Sequence, residues 1–240
     1  MINLMQGDCL ELMKEIPSGS VDAVICDPPY GTTACKWDSI IPLEPMWEQL
    51  KRIIKPNGAI VMTASQPFTT TLIASNMKMF KYCWVWEKNT VTGFMQAKTK
   101  PLKSHEDVVV FGHFKNSAQH FKGVYNHGAT PVGEKAYSNK RKEDHITGNR
   151  GAGSTLSSKG YPKDIIKISS EKGTTHPTQK PVALMEYLIK TYTNESETVL
   201  DFTMGSGTTG VAAKNLNRKF IGIELSSEYF NIAKERIESV

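Results

Sequence analysis

Short apolar runs alternate with amphipathic segments along most of the chain. Runs of four to eight apolar residues are typical of strands, and apolar positions every three or four residues are typical of helices. The pattern predicts strands at 2–5, 21–26, 59–64, 81–86, 107–111, 198–201 and 220–223, and helices at 9–16, 46–55, 67–77, 182–193, 208–216 and 227–238. Such alternation indicates an α/β protein with a mostly parallel seven-stranded sheet and helices on both faces.

The pattern stops between residue 113 and about residue 175, where Gly, Ser, Lys, Asn and His are frequent. A long stretch of this kind in a compact domain is usually functional or disordered. We therefore predict three parts, with 1–112 and 176–240 as the two halves of one domain and 113–175 as an insertion.

The positive charge is concentrated in one part of the chain. The net charge is +5, and residues 113–180 contain 12 Lys or Arg and 5 Asp or Glu, whereas the rest contains 17 and 19. A solvated loop is the ordinary explanation for such a cluster, and a surface that binds a polyanion is the functional one.

The composition, with 39% hydrophobic and 22% charged residues, is typical of a soluble globular protein. No apolar run approaches the ~20 residues of a membrane span, and the first residues lack the features of a signal peptide. We therefore expect a cytoplasmic protein that does not bind membranes. The cysteines (Cys9, Cys26, Cys35 and Cys83) show no CxxC spacing and the histidines no zinc-ligand spacing, which favours reduced thiols and no metal site.

The sequence Asp27-Pro28-Pro29-Tyr30 directly follows the apolar run 21–26. Each proline fixes φ and lacks an N–H, so nearby carbonyl groups are less often used in local pairing. A carboxylate and free carbonyl groups beside an aromatic ring can bind an exocyclic amino group on a planar ring. The four residues therefore predict a site for a planar amine.

A second motif, DFTMGSGTTG, begins at Asp201 between a predicted strand and a predicted helix. It contains GxGxxG, and Glu224 follows Gly205 by 19 residues at the end of the next strand. This arrangement suits NAD, although a purely structural tight turn also explains it. However, little chain remains for a second mononucleotide-binding half, and the Asp201 carboxylate would repel a pyrophosphate. S-adenosylmethionine, with its ammonium, sulfonium and ribose, fits these carboxylates better.

Together the two motifs resemble the amino-group DNA methyltransferases, which methylate adenine N6 or cytosine N4. Residues 1–111 and 176–240 match the order of elements in that family. The motif at Asp27 precedes the Gly-rich motif, with the basic segment between them, which resembles the β group. The resemblance implies a circularly permuted, Rossmann-like S-adenosylmethionine-dependent methyltransferase fold. RNA and protein methyltransferases with this motif usually have the cofactor motif first, so the order favours DNA.

The resemblance also implies site residues. The catalytic residues would be Asp27, Pro28, Pro29 and Tyr30, with Tyr30 stacking on a flipped-out base. Cofactor-binding positions would be Asp8, Cys9, Asp27, Lys180, Asp201, Phe202, Thr203, Gly205, Ser206, Gly207, Thr208, Glu224 and Leu225. Lys180 lies in the segment His176-Pro177-Thr178-Gln179-Lys180-Pro181, which resembles the family's segment that closes over the methionine end of the cofactor. The family often has Pro-Phe where Phe202-Thr203 stands here. Asp8 follows the first strand, which we expect to lie beside the strand 21–26, and it has helix capping as an alternative role.

Contacts with double-stranded DNA are expected from two regions. Lys88, Asn89 and His105-Glu106 resemble family positions near the target base. In the basic segment, Lys140, Arg141, Lys142 and Arg150 would meet phosphates or guanine, and Gln119, Asn139 and Asn149 could read adenine. The family resemblance also allows a homodimer and a cognate restriction endonuclease as partners.

The function that these expectations describe is adenine-N6 methylation of duplex DNA at specific sites. Cytosine-N4 methylation is the alternative within the family. An NAD-dependent oxidoreductase and a non-catalytic nucleic-acid-binding protein are more distant alternatives. The sequence contains no Pro-Cys pair, so the nucleophile expected for cytosine-C5 methylation is absent.

Overall fold

A computed structural model of the chain describes residues 1–32, 38–113, 163–171 and 179–240. All of these except Lys163 belong to one compact unit. The strands in the described ranges are β1 (Ile2–Gln6), β2 (Val21–Cys26), β3 (Ile54–Ala64), β4 (Phe80–Thr92), β5 (Lys103–Gly112), β6 (Ile165–Lys167), β7 (Thr198–Asp201) and β8 (Lys219–Glu224). The helices are α1 (Cys9–Leu12), α2 (Leu43–Ile53), α3 (Phe68–Ser75), α4 (Val182–Tyr192), α5 (Thr208–Asn215) and α6 (Ser227–Glu238). None of these helices is long and apolar enough to cross a membrane.

The strands form one mixed sheet in the order β1-β8-β7-β2-β3-β5-β4-β6. The five strands from β1 to β3 in this order are parallel, β5 is antiparallel to both of its neighbours, and β4 is parallel to β6. The described residues thus contain eight strands rather than the seven predicted. The additional strand is β6, whose three residues are too few to show an alternating pattern within the basic segment.

Apolar residues cover both faces of the sheet. Along β2, Ala23 and Ile25 pack with α4, α5 and α6, whereas Val24 and Cys26 pack with α2 and α3 on the opposite face. A strand that is buried on both faces appears as a continuous apolar run, which explains why β2 was predicted with the bounds that it has.

Two sequence predictions about neighbouring elements were wrong. The predicted helix 46–55 and strand 59–64 left Pro56-Asn57-Gly58 as a break between them, but these residues lie inside β3, where an irregularity in the pairing with β2 accommodates them. The strand before Asp8 was expected beside β2. Instead β1 is at the edge of the sheet, because the last strand of the chain, β8, pairs with it and with β7.

Candidate active site

The carboxyl ends of the parallel strands meet at one edge of the sheet. Asp8 follows β1, Asp27 follows β2, Asp201 ends β7 and Glu224 ends β8. These side chains come from distant parts of the chain, and in open α/β sheets this edge is where ligands bind. The fold therefore brings the two sequence motifs to the same place.

Asp27 has hydrogen-bond donors on both of its carboxylate oxygens. The hydroxyl groups of Tyr30 (2.7 Å) and Thr63 donate to Oδ1, and Lys180 Nζ lies 2.6 Å from Oδ2. The Asp27 side chain is still about a quarter exposed, so it faces an open space. Hydrogen bonds to an ionised carboxylate are strong and directional, so Asp27 is held in a fixed orientation.

Lys180 and Glu106 continue this polar cluster towards β4 and β5. Lys180 is buried, and its Nζ lies 3.3 Å from Glu106 Oε2 as well as beside Asp27. Glu106 also forms an ion pair with Lys88, whose ammonium group lies over the ring of Trp86. Burial alone would lower the pKa of Lys180, but the carboxylates of Asp27 and Glu106 outweigh it and raise that pKa. Lys180 is therefore charged at neutral pH.

The same two cations control the ionisation of Glu106. Burial alone would raise the pKa of Glu106, but the ammonium groups of Lys180 and Lys88 outweigh it and lower that pKa. Glu106 is therefore an anion in spite of its burial. It also lies 3.4 Å from the hydroxyl group of Tyr30, so the cluster joins β5 to the motif at the end of β2.

The ring of Tyr30 has two neighbours, because the Lys180 ammonium lies over it, 5.6 Å from the ring centroid. The ring also stacks on Phe68, with ring centroids 5.5 Å apart and an angle of 21° between the planes. Asp38 accepts hydrogen bonds from the backbone N–H groups of Tyr30 (2.8 Å), Gly31 (2.8 Å) and Thr32 (2.9 Å). Burial, together with the charges of Asp27 and Glu106, raises the pKa of Tyr30, so its hydroxyl group stays protonated.

The Gly-rich turn after β7 is hydrogen-bonded to the Glu224 carboxylate and to the backbone of Asp27. Glu224 accepts hydrogen bonds from the backbone N–H groups of Gly205 (2.9 Å) and Ser226 (2.8 Å). The Thr203 hydroxyl donates to the backbone carbonyl of Asp27 over 3.2 Å. The last contact directly connects the turn to the motif that follows β2.

Gly207 is required for close packing behind this turn. Its φ is +82°, and a Cβ atom there would lie 2.9 Å from the Cα and Cβ atoms of Ala233 in α6. Gly205 also has a positive φ, +52°, but a Cβ atom there would meet no atom within 4 Å. The backbone of Gly205 therefore borders free space, as a ligand-binding turn requires.

Asp201 is buried beneath the turn. Burial raises its pKa to about 7, although hydrogen bonds from Thr209 and from the Thr203 N–H, the latter 3.0 Å long, oppose the shift. Burial raises the pKa of Glu224 as well. Since both carboxylates lack a cationic partner in the described residues, a cation bound at this edge would stabilise their charged forms.

The other predicted cofactor residues differ in their exposure. Asp8 accepts a hydrogen bond from the Leu10 N–H (2.7 Å) and caps α1, so its alternative role is present in the structure. Cys9 is half-buried beside it, and burial raises the pKa of its thiol to about 12. Phe202 is packed in the core and Leu225 is 70% exposed. Ser206 and Thr208 are buried, and the Arg236 guanidinium donates to the Ser206 hydroxyl (2.9 Å).

Among the predicted DNA contacts, Lys88 lies in the polar cluster and His105 is exposed on β5. The Asn89 side chain accepts a hydrogen bond from the Ser170 N–H (2.9 Å), so it holds the chain that follows β6. The remaining predictions, Gln119, Asn139, Lys140, Arg141, Lys142, Asn149 and Arg150, lie outside the described residues, as do Cys35 and His176 to Thr178.

Sequence reasoning missed three residues that position the site. Thr63 is the last residue but one of β3, the neighbour of β2, and that position was the available signal. Asp38 holds the first motif by local contacts, and only its proximity to that motif in the sequence pointed to it. Thr209 holds Asp201 and belongs to the second motif, but it was not among the predicted site residues.

Comparison with known families and proteins gives consistent matches. A family model described as DNA methylase, of the N6/N4 methyltransferase type, matches residues 21–235. The type II methyltransferase M.HpaI of Haemophilus parainfluenzae is 28% identical, covering 98% of this chain and 74% of that protein. The DNA adenine methyltransferase YhdJ of Escherichia coli is 27% identical, and the match covers 98% of this chain and 82% of that protein.

Solved structures agree with these relatives. The complex of M1.HpyAVI with S-adenosylmethionine has a TM-score of 0.67 at 29% identity and covers 98% of this chain and all of that one. The cytosine-N4-specific PvuII methyltransferase has a TM-score of 0.70 at 17% identity, and the match covers 98% of this chain and 86% of that chain. At this identity the similarity shows the fold alone. The predicted Rossmann-like methyltransferase fold is thereby confirmed.

The residues at the sheet edge fit the cofactor of these proteins. Asp201 provides a buried carboxylate and Glu224 a half-buried one for a ligand that carries an ammonium, a sulfonium and a ribose. The Gly205 backbone leaves room for close approach, and the turn has no lysine that would suit a phosphate. The cofactor is S-adenosyl-L-methionine, and the chain belongs to the DNA methylase family, the amino-group (N6 and N4) DNA methyltransferases.

Proposed function

We propose that this methyltransferase transfers a methyl group to the N6 amino group of adenine at specific sites in duplex DNA. The observation that carries the proposal is the Asp27 carboxylate, which is about a quarter exposed, accepts from the Tyr30 hydroxyl and belongs to a residue whose backbone carbonyl is bonded to the Gly-rich turn. Bound S-adenosylmethionine supplies an electrophilic methyl group on a sulfonium. Asp201, Glu224 and the Gly205 backbone would hold that cofactor.

The lone pair of the adenine N6 atom is delocalised into the ring, so the amine is a poor nucleophile. Asp27 and the Pro28 carbonyl would accept its two N–H groups, localise the lone pair and aim it. The rate then depends on positioning and electrostatics. Since Lys180 holds Oδ2 of Asp27, an entering amine would displace that ammonium, and Glu106 would retain it.

A base paired inside a duplex cannot reach this edge, so it must leave the stack. Phe68 supports the Tyr30 ring, which would stack against the flipped base once the Lys180 ammonium that lies over the ring is displaced. Residues 113–175 would bind the DNA backbone, because they carry the positive charge that phosphates attract, and polar side chains among them would select the sequence by contacts to base edges. We also propose that the chain has the three predicted parts, 1–112, 113–175 and 176–240, and that the enzyme is a member of the β group.

Adenine is favoured over cytosine N4 by the motif and by a relative that is named an adenine methyltransferase. Cytosine-N4 methylation is the second candidate. We also propose a cytoplasmic site of action, and a homodimer and a restriction endonuclease as partners, since the relatives are bacterial type II enzymes.

The class of acceptor is tested with methyl-labelled S-adenosylmethionine, supplied in parallel with plasmid DNA, total RNA and a protein mixture. We expect label in DNA only, and none with Asp27→Ala. Label in RNA or protein would show that the substrate is of another class, and NAD binding without S-adenosylmethionine binding would favour an oxidoreductase.

A further inference from the structure

The hairpin formed by β4 and β5 extends beyond the rest of the sheet. The neighbouring strand β3 ends at Ala64, which pairs with Asp107 of β5. The earlier residues of β5, from Lys103 to Glu106, therefore project past the carboxyl edge together with the end of β4. This is the edge at which Asp27 lies.

The tip of the hairpin is apolar and exposed. Phe94 is 65% exposed and Met95 is fully exposed. The turn that carries them is held by its own backbone, since the N–H of Gln96 donates to the carbonyl of Gly93 and that of Lys100 to the carbonyl of Gln96, each over 2.9 Å. Two large apolar side chains are thus presented to solvent on an ordered turn, which indicates a binding surface.

The charged residues that flank the tip in the sequence are all positive. Residues 88–105 contain four lysines and no acidic residue. Lys98 and Lys100, which follow the apolar pair, are exposed. An apolar tip flanked by lysines complements a polyanion with an apolar interior, and duplex DNA has that chemistry.

The tip lies on the same side of the molecule as the catalytic motif. Glu106 contacts Lys180 and, through its second carboxylate oxygen, Lys88. Lys103 lies three residues along β5 from Glu106, which is about 10 Å at the rise of an antiparallel strand, and the tip extends further. The tip and the site of the flipped base are therefore on one side of the molecule.

We propose that the tip of the β4–β5 hairpin, residues 93–100, is a wedge that enters the duplex when the target base leaves it. Phe94 and Met95 occupy the unstacked space, and Lys98 and Lys100 bind the adjoining phosphates. The inference rests on the proposed function, since it assumes that DNA is the substrate.

The test begins with the wild-type protein, which is used to map the modified base in plasmid DNA. Two oligonucleotide duplexes then carry the mapped sequence, one with the target base normally paired and one with it opposite an abasic site. The double variant Phe94→Ser/Met95→Ser is compared with Met77→Ser, whose side chain is also exposed, at 62%, but lies before β4 at the other end of that strand. Melting temperature and S-adenosylmethionine binding establish that each variant is folded.

We expect the double variant to lose about tenfold or more in kcat/KM on the paired duplex, because the opened stack is no longer filled. On the abasic duplex, where the base leaves the stack more easily, the loss should largely disappear. Met77→Ser should match the wild type on both. The single variant Met95→Ser, whose side chain packs on nothing, should show the same selective loss if the double variant is unstable.

An unchanged kcat/KM on the paired duplex would overturn the wedge, and so would an equal loss on both duplexes. An equal loss together with conversion of a dimer to a monomer would show that the tip binds a second copy of the chain. If the wild type itself methylates no DNA, the proposed function fails as well, so the two failures are distinguishable.

Discussion

The ammonium group of Lys180 lies 2.6 Å from Oδ2 of Asp27, although 153 residues separate the two in the sequence. This contact brings the chain before α4 to the catalytic motif after β2. Lys180 is buried, and Glu106 is its second anionic partner at 3.3 Å. Both acceptor oxygens of Asp27 are therefore already in use.

Replacing Asp27 should remove transfer without preventing cofactor binding. Asp27→Asn keeps the shape of the side chain but takes away the charge that would activate the target amine. We expect kcat to fall about a hundredfold or more, as for other preorganised electrostatic contacts. Single-turnover transfer to DNA and calorimetric binding of S-adenosylmethionine measure the two effects.

Asp22→Asn is the matched control. Asp22 lies on the same strand but bonds Lys55 (2.6 Å) and the Thr198 N–H (2.9 Å) away from the site. Its loss should lower stability and leave kcat close to the wild-type value. Near-normal turnover in Asp27→Asn would show that the carboxylate is not part of the mechanism.

The two roles proposed for Tyr30 can be separated by substitution. Tyr30→Phe keeps the stacked ring and removes the hydroxyl group that donates to Asp27 over 2.7 Å, so we expect a decrease in kcat of less than about tenfold. Tyr30→Ala also removes the surface for the base and should cost about tenfold more than Tyr30→Phe. Equal losses in the two variants would mean that stacking on Tyr30 contributes nothing.

Binding of S-adenosylmethionine should become tighter as the pH rises through about 7. Burial raises the pKa of Asp201 to about that value, so the ligand-free protein carries a neutral carboxyl group in more acidic solution. The cationic cofactor binds the ionised form. We expect the dissociation constant to fall up to about pH 8 and then to level off. Calorimetric titrations at several pH values measure this.

Asp201→Asn should bind the cofactor more weakly and with little dependence on pH. Because the folded-state pKa is raised from 3.8, the wild-type protein without ligand should also lose stability as the pH rises from there to about 7, and the variant should not. A pH profile of binding that is unchanged in Asp201→Asn would assign the titration to another group, such as Glu224, whose pKa is also raised by burial.

The two glycines of the turn should respond differently to alanine. At Gly207 a Cβ atom would press on the helix α6 at Ala233, and φ is positive, so we expect a loss of about 3 kcal/mol in the free energy of unfolding. At Gly205 only the positive φ opposes alanine, and the loss should be about 1 kcal/mol. Urea denaturation measures both, and equal losses would contradict the packing behind Gly207.

Strands that are buried on both faces could be predicted from the sequence because burial makes them continuously apolar. The predicted bounds of β2 and β7, 21–26 and 198–201, are those of the structure. The polar half of the β4–β5 hairpin was not predicted, because it projects from the sheet and has no apolar face to bury. The same applies to β6, whose single buried residue is Ile166.

The two motifs could be found in the sequence because each is a short run of neighbouring residues. The hydrogen bonds between the two motifs could not be predicted, because they join residues that are far apart in the sequence, as in the contact of the Thr203 hydroxyl with the Asp27 carbonyl. Glu106 was expected near the target base only by resemblance. Its ionisation depends on two lysines from other segments, which no local pattern reveals.

The central claim, that the site at Asp27 methylates adenine N6, is tested most directly by identifying the product. Plasmid DNA without prior methylation is incubated with the protein and methyl-labelled S-adenosylmethionine, digested to nucleosides and analysed by mass spectrometry. The account predicts label in N6-methyldeoxyadenosine, lost with Asp27→Asn and kept with Asp22→Asn. Label in N4-methyldeoxycytidine, or no label in DNA, would contradict it.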